Sequence, residues 1–121
     1  MRQAGIIAAA GSFALDHHVD RMAEDHANAK RLANGIAGAP RIQIDVEGVE
    51  TNMVRFDVAD LGVSSSEFGD LMLSEFGIRV SAPGPTLVRL IPHLALRTLM
   101  WIRLLRPSRI WQKNWLHRSG A

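Results

Sequence analysis

Two arginines, three of the five histidines and two lysines are the residues whose types and settings could carry chemistry in this chain. Arg89 interrupts an apolar run, Leu87-Val88-Arg89-Leu90-Ile91. A guanidinium presents a planar fork of N–H donors that can grip a carboxylate or a phosphate through two parallel hydrogen bonds. The plainer reading is a strand arginine that points to water, as charged side chains usually do. Arg2 stands near the chain start, where residues commonly fray. His17, His18 and His26 invite a metal, but two ligands on one helix face need a spacing of four. His17 and His18 are adjacent and His18 and His26 are eight apart, so ordinary helix histidines are expected and no metal site. Lys30 and Lys113 are the only lysines, and Lys30 is expected on a solvated helix face. With no cysteine, a thiolate nucleophile, a disulfide framework and a cysteine zinc site are all excluded. No residue is singled out as a catalytic nucleophile or acid–base group.

The chain that must position these groups has 121 residues, enough for one small domain. Its hydrophobic share of 47% and charged share of 21% are ordinary for a globular chain. The net charge of +2 conceals an asymmetry: residues 1–93 hold eight Lys/Arg and twelve Asp/Glu, whereas residues 94–121 hold six Lys/Arg and no acid. All three tryptophans, Trp101, Trp111 and Trp115, fall in that basic tail. Such a mixture could contact an anionic membrane surface or nucleic acid, which makes a small binding module the alternative to an enzymatic role. The tail has no ordered amphipathic stripe beyond Pro107, so neither nucleic acid nor membrane is the expected partner. The apolar run Leu94–Leu105 is too short to span a bilayer and carries Arg97 and Arg103. No signal peptide is visible, and the lack of cysteine suits a reducing cytoplasm.

The strongest strand signal is Asn52-Met53-Val54-Arg55-Phe56-Asp57-Val58. It alternates, with Met53, Arg55 and Asp57 on one face and Asn52, Val54, Phe56 and Val58 on the other. Residues 41–46, 78–81 and 87–91 read as further strands. Apolar residues at spacings of three and four predict a helix over 2–15, in which Gly5 and Gly11 are expected to permit close packing on a neighbouring element. The same spacing predicts a helix over 19–37 with Val19, Met22, Ala23, His26, Ala29, Ala33 and Ile36 turned inward. A third helix over 66–76 is expected to be capped by one of Ser64, Ser65 and Ser66, with Phe68, Leu71, Met72 and Phe76 inward and Gly77 as its stop. The order α–α–β–β–α–β–β predicts an α+β fold, with helices packed on a small, mostly antiparallel sheet.

Five blocks in this order carry a family resemblance: Met1-Arg2-Gln3-Ala4-Gly5, Ala8-Ala9-Ala10-Gly11, Asp20 to Ala29 (DRMAEDHANA), Glu50-Thr51-Asn52-Met53-Val54 and Val88-Arg89-Leu90-Ile91-Pro92-His93-Leu94. Over about residues 1–94 the chain resembles the low-specificity L-threonine aldolases, lyases of pyridoxal-phosphate fold type I. The resemblance implies that the chain corresponds to the C-terminal third of such an enzyme. Residues 1–18 would then be a helix linking to a large cofactor domain, 19–93 the small α+β domain and 94–121 a divergent tail. It implies cleavage of L-threonine or L-allo-threonine to glycine and an aldehyde, with pyridoxal 5'-phosphate as the electron sink. It implies two site residues: Arg2 for the cofactor phosphate, contributed across a subunit interface, and Arg89 for the carboxylate of the amino-acid substrate. Partners would be further copies of the chain or the large cofactor domain. Neither Lys30 nor Lys113 matches the family's cofactor lysine, so the chain alone is expected to be inactive. Where the family usually has Thr-His-Leu-Asp this chain has Pro92-His93-Leu94-Ala95, and beyond Leu94 the likeness ends. A shifted reading frame or recombination would produce such a tail.

Overall fold

The computed structural model describes residues 2–92. The apolar run 94–105, the tail 94–121 with its tryptophans, His93 and Lys113 lie outside them. Along the described chain run α1 (Ala4–His18), α2 (Met22–Ala37), β1 (Val54–Asp57), a 3-10 turn (Ala59–Leu61), α3 (Ser65–Phe76) and β2 (Leu87–Leu90). The α+β class expected from the sequence is the one observed.

The centre is the antiparallel pairing of β1 with β2, in the register Val54↔Leu90, Arg55↔Arg89, Phe56↔Val88 and Asp57↔Leu87. Four full strands were expected. Two form, and the segments 41–46 and 78–81 join them only through single bridges, Gln43↔Asp57 and Ser81↔Arg89. Each bridge is a reciprocal backbone pair, at 2.8 and 3.2 Å for Gln43 with Asp57 and 2.9 and 3.0 Å for Ser81 with Arg89. The outer segments still keep the expected alternation, since Ile42, Ile44, Val46 and Val80 pack against the core. Continuous pairing is interrupted at their ends: Arg41 adopts a left-handed φ of 63° after Pro40, and Asp45 folds back to accept from the Gly48 N–H at 3.1 Å. That fold brings the Asp45 carboxylate within 2.5 Å of where a Cβ on residue 48 would stand, so a side chain there would displace the carboxylate from the Gly48 N–H.

One face of the sheet is covered. Val54, Phe56, Val58, Val88 and Leu90 are buried with Ala29, Leu32, Ala33 and Ile36 of α2 and with Phe68 and Met72 of α3. α2 packs on β1 and α3 on β2. The Phe56 ring meets Phe68 edge to face, with centroids 5.7 Å apart, a favoured aromatic geometry. The inward stripe of α2 is shorter than expected. Ala29, Ala33 and Ile36 are buried and Leu32 joins them, but Val19 and Met22 stay about half exposed, at 47% and 49%. Strands of four residues are too short to lie under more than the C-terminal half of a sixteen-residue helix.

α3 is fixed at both ends. Ser64 caps it with a full capping box: its hydroxyl accepts from the Glu67 N–H at 3.2 Å, and the Glu67 carboxylate accepts from the Ser64 N–H at 2.8 Å. Gly77 ends it in the left-handed conformation at φ 67°. The buried Ser65 ties the helix start to the turn before β2, through its hydroxyl to the Gly84 carbonyl and its N–H to the Pro85 carbonyl at 2.8 Å.

α1 stands apart from this core and has no buried residue. Ile6 is 76% exposed and Leu15 71%, with Ile7 and Phe13 also in water. A Cβ at Gly5 or Gly11 would meet nothing within 4 Å, so neither glycine serves close packing among the described residues.

Two outcomes follow from this packing. Truncating Phe56 to Ala removes the ring against Phe68 and should lower unfolding free energy by about 3–5 kcal/mol, read from denaturant midpoints at unchanged slope. Ser64→Ala should cost about 1 kcal/mol through loss of the cap. The Ser64 N–H, and after it the hydroxyl, hold the Glu67 carboxyl below the usual carboxylate range. A depressed folded pKa gives stability that is present above the unfolded value and lost as pH falls through the folded one. Wild type should therefore lose stability on acidification through that window, and Ser64→Ala, which removes the hydroxyl but keeps the N–H, should flatten this part of the profile only in part in pH-dependent melts.

Candidate functional site

Alternation along the two strands puts Val54, Phe56, Val88 and Leu90 in the core and leaves Met53, Arg55, Asp57, Leu87 and Arg89 on the opposite face. No helix among the described residues packs on that outer face. Arg89 sits at its centre, half-buried, paired through its backbone to Ser81 on one side and placed across from Arg55 on the other. Its Nε is buried and has no hydrogen-bond partner among the described residues. A buried donor left without an acceptor is costly and commonly marks a missing ligand, water or neighbour. Arg89 is thus not the freely solvated strand arginine of the plainer reading.

The sequence alternation places Arg55 with Met53 and Asp57 on one face of the strand and singles out no partner for it. The register places it directly opposite Arg89. Its Nη2 donates only to the Met53 thioether, at 3.1 Å, a weak acceptor. The acids of this face are engaged elsewhere. Asp57 accepts from the Ala59 N–H at 2.7 Å and from the Thr86 hydroxyl at 2.9 Å, and Asp45 accepts from the Gly48 N–H. Among the described residues the ion pairs are Arg21–Glu24 and Lys30–Glu47, each at 3.6 Å. Neither Arg55 nor Arg89 has an acidic partner. The alternation of 52–58 was the signal that could have found Arg55, but only the register shows which residue it faces.

Arg2 lies exposed ahead of α1 and takes part in no hydrogen bond or ion pair among the described residues. It precedes the helix that buries nothing, whereas Arg89 belongs to the sheet, so the two expected site residues do not share a pocket formed by the described residues. Lys30 corrects its expectation. Its side chain is not on an open helix face but donates to the Val46 carbonyl at 2.8 Å and pairs with Glu47, tying α2 to the loop before β1. A tethered ammonium and an isolated Arg2 do not fit a self-contained pyridoxal phosphate site. His17 bonds the Phe13 carbonyl at 2.8 Å and stacks on the Phe13 ring at 4.1 Å, so its contacts are within its own helix. Among the described residues no three His, Asp or Glu side chains gather as a metal site, and no helix is long and apolar enough to cross a membrane.

Comparison with known proteins agrees with the blocks quoted above. The β-eliminating lyase family model matches residues 1–59. Low-specificity L-threonine aldolase 1 of Arabidopsis thaliana is 33% identical over 98 residues, which are 81% of this chain and 27% of that protein. The low specificity L-threonine aldolase of Escherichia coli O157:H7 is 38% identical over 96 residues, 78% of this chain and 26% of that protein. The chain thus spans about a quarter of the length of the curated relatives it matches. The ordered blocks from Arg2 to Pro92 and these matches agree with one another: over about four fifths of its length the chain is similar to low-specificity L-threonine aldolases, and its residues 1–59 match the β-eliminating lyase family model.

Proposed function

We propose that the chain is the C-terminal part of a cytoplasmic, pyridoxal-phosphate-dependent L-threonine/L-allo-threonine aldolase, a lyase that cleaves β-hydroxy-α-amino acids to glycine and an aldehyde. The observation that carries this reading is Arg89. Within the matching block Val88–Leu94 it is the single charged residue before His93, and its buried Nε is free for an acceptor. Arg89 holds the substrate α-carboxylate through its fork and so sets which bonds at the α-carbon face the cofactor. It is well placed to do so, because β2 is locked between β1 and Ser81 and a guanidinium on a rigid strand loses little freedom when it binds. Arg2 holds the cofactor phosphate, but of a neighbouring subunit, which accounts for its isolation here. The cofactor lysine and the groups around the pyridine ring come from a large domain outside this chain, and the assembled enzyme is a homo-oligomer.

α1 supports the same reading. Its apolar side chains Ile6, Ile7, Phe13 and Leu15 point to different sides of one helix. A helix apolar all round is stable in water only when surrounded. In this proposal the large domain surrounds it.

A chimera tests the assignment. Residues 2–92 replace the matching stretch of the Escherichia coli aldolase, and cleavage of L-threonine is followed with the cofactor absorbance as a loading control. The chimera should be active, and Arg89→Ala within it should lower kcat/KM by about 100-fold or more while the cofactor stays bound. A loaded but inactive chimera, or an Arg89→Ala chimera of undiminished activity, contradicts the proposal. The chain alone should form no stoichiometric Schiff base with pyridoxal phosphate. Borohydride trapping followed by peptide mapping checks this, and a single modified lysine would contradict it.

A further inference from the structure

Opposed residues of an antiparallel pair alternate between those that exchange backbone hydrogen bonds and those that do not, and side chains stand closer in the second kind. Arg89 gives its N–H and C=O to Ser81, and Asp57 gives its own to Gln43. Arg55 and Arg89 therefore form a pair of the second kind, with Cβ atoms about 4.5–5.5 Å apart. Two like charges directly opposite repel. No ion pair relieves this among the described residues: Asp57 and Asp45 are bonded to Ala59, Thr86 and Gly48, and Glu50 forms no ion pair. Arg89 has a buried donor unfilled, and Arg55 rests on a thioether. Arg55 also lines a groove with Asp45 and Glu50, whose carboxylates would repel an anion there. The register sets Arg89, the other cation of this face, directly opposite Arg55.

We propose that Arg55 and Arg89 form a clamp for a ligand with two carboxylates, and that Arg55 is the residue that selects a substrate whose side chain ends in a second carboxylate. This rests on the reading of Arg89 as the arginine for the α-carboxylate. A β-hydroxy-α-amino acid with a terminal carboxylate would set one acid on each fork, and the ligand would neutralise the repulsion between them. A substrate with a neutral side chain would engage Arg89 alone and leave Arg55 on Met53.

The test is a titration of the isotope-labelled 121-residue chain with succinate, propionate and methyl phosphate at constant ionic strength, read at the Arg55 and Arg89 Nε–H resonances. Succinate should move both resonances and bind about tenfold or more tighter than propionate, and propionate should move Arg89 alone. Arg55→Gln should abolish the preference for succinate while leaving propionate affinity unchanged. Arg31→Gln, which removes the same charge from the exposed face of α2, should keep the preference. Amide dispersion verifies that each variant is folded. Equal affinity for succinate and propionate, or a preference that survives Arg55→Gln, overturns the clamp and leaves the role of Arg89 standing. Tighter binding of methyl phosphate than of succinate overturns the two-carboxylate assignment. An Arg89 resonance that no probe moves overturns the reading of Arg89 and the clamp with it.

Discussion

The pairing of β1 with β2 is the constraint on which the described structure depends. It joins segments some thirty residues apart, and on one face it stacks Val54, Phe56, Val88 and Leu90 under α2 and α3. On the other face the same register sets Arg55 against Arg89. Because side chains alternate with a period of two, the core and the cationic face are one decision: slipping β2 by a residue would bring Arg89 inward and Val88 into water. A charged guanidinium without an acceptor in the core would cost far more than the hydrophobic gain of any alternative pairing. The apolar residues and the arginines therefore enforce the same register from opposite sides.

Closure of the sheet depends on polar contacts at its ends. The chain between β1 and β2 is tied down by the capping box at Ser64, by Ser65 on the 84–85 turn and by Asp57 on Thr86. These engage the Ser64, Ser65 and Thr86 hydroxyls and the Asp57 and Glu67 carboxylates. What remains unpaired on the outer face is positive, which is how a chain whose described part holds more acids than bases presents a cationic patch.

The sequence disclosed elements better than extents. The alternation of 52–58 and the spacing of Phe68 with Met72 reported their burial directly, since a short strand and a capped helix leave little choice of face. The α+β class followed from that order of elements. Segments 41–46 and 78–81 have the same alternation but become single bridges, because Arg41, Asp45 and Gly48 bend one of them and pairing depends on backbone geometry that alternation does not encode. The inward stripe of α2 was overextended over Val19, Met22, Ala23 and His26. Periodicity tells which face of a helix is apolar, but it does not tell how much of that face the described sheet is long enough to cover. Lys30 was misread for a related reason: its acceptor, the Val46 carbonyl, is sixteen residues away and invisible to local spacing. At the site, Arg89 was legible as an anomaly within an apolar run, whereas Arg55 looked like any exposed strand residue until its cross-strand partner was known.

The unsatisfied groups separate what this part of the chain does for itself from what it does for a partner. Its own stability comes from the core under α2 and α3, where every large side chain is covered. The two features that oppose stability are α1, which holds apolar residues in water, and the arginine pair, which holds like charges together. Local consistency is the rule in a folded sequence, and departures from it cluster where the chain meets something else. The departures here differ in kind, and each specifies its complement. An apolar helix asks for a surface that excludes water, and so for protein. Two opposed guanidiniums ask for negative charge delivered in a planar, bidentate form, and so for carboxylates. One small α+β unit thus exposes both needs, one on a helix outside the core and one on the uncovered face of its sheet.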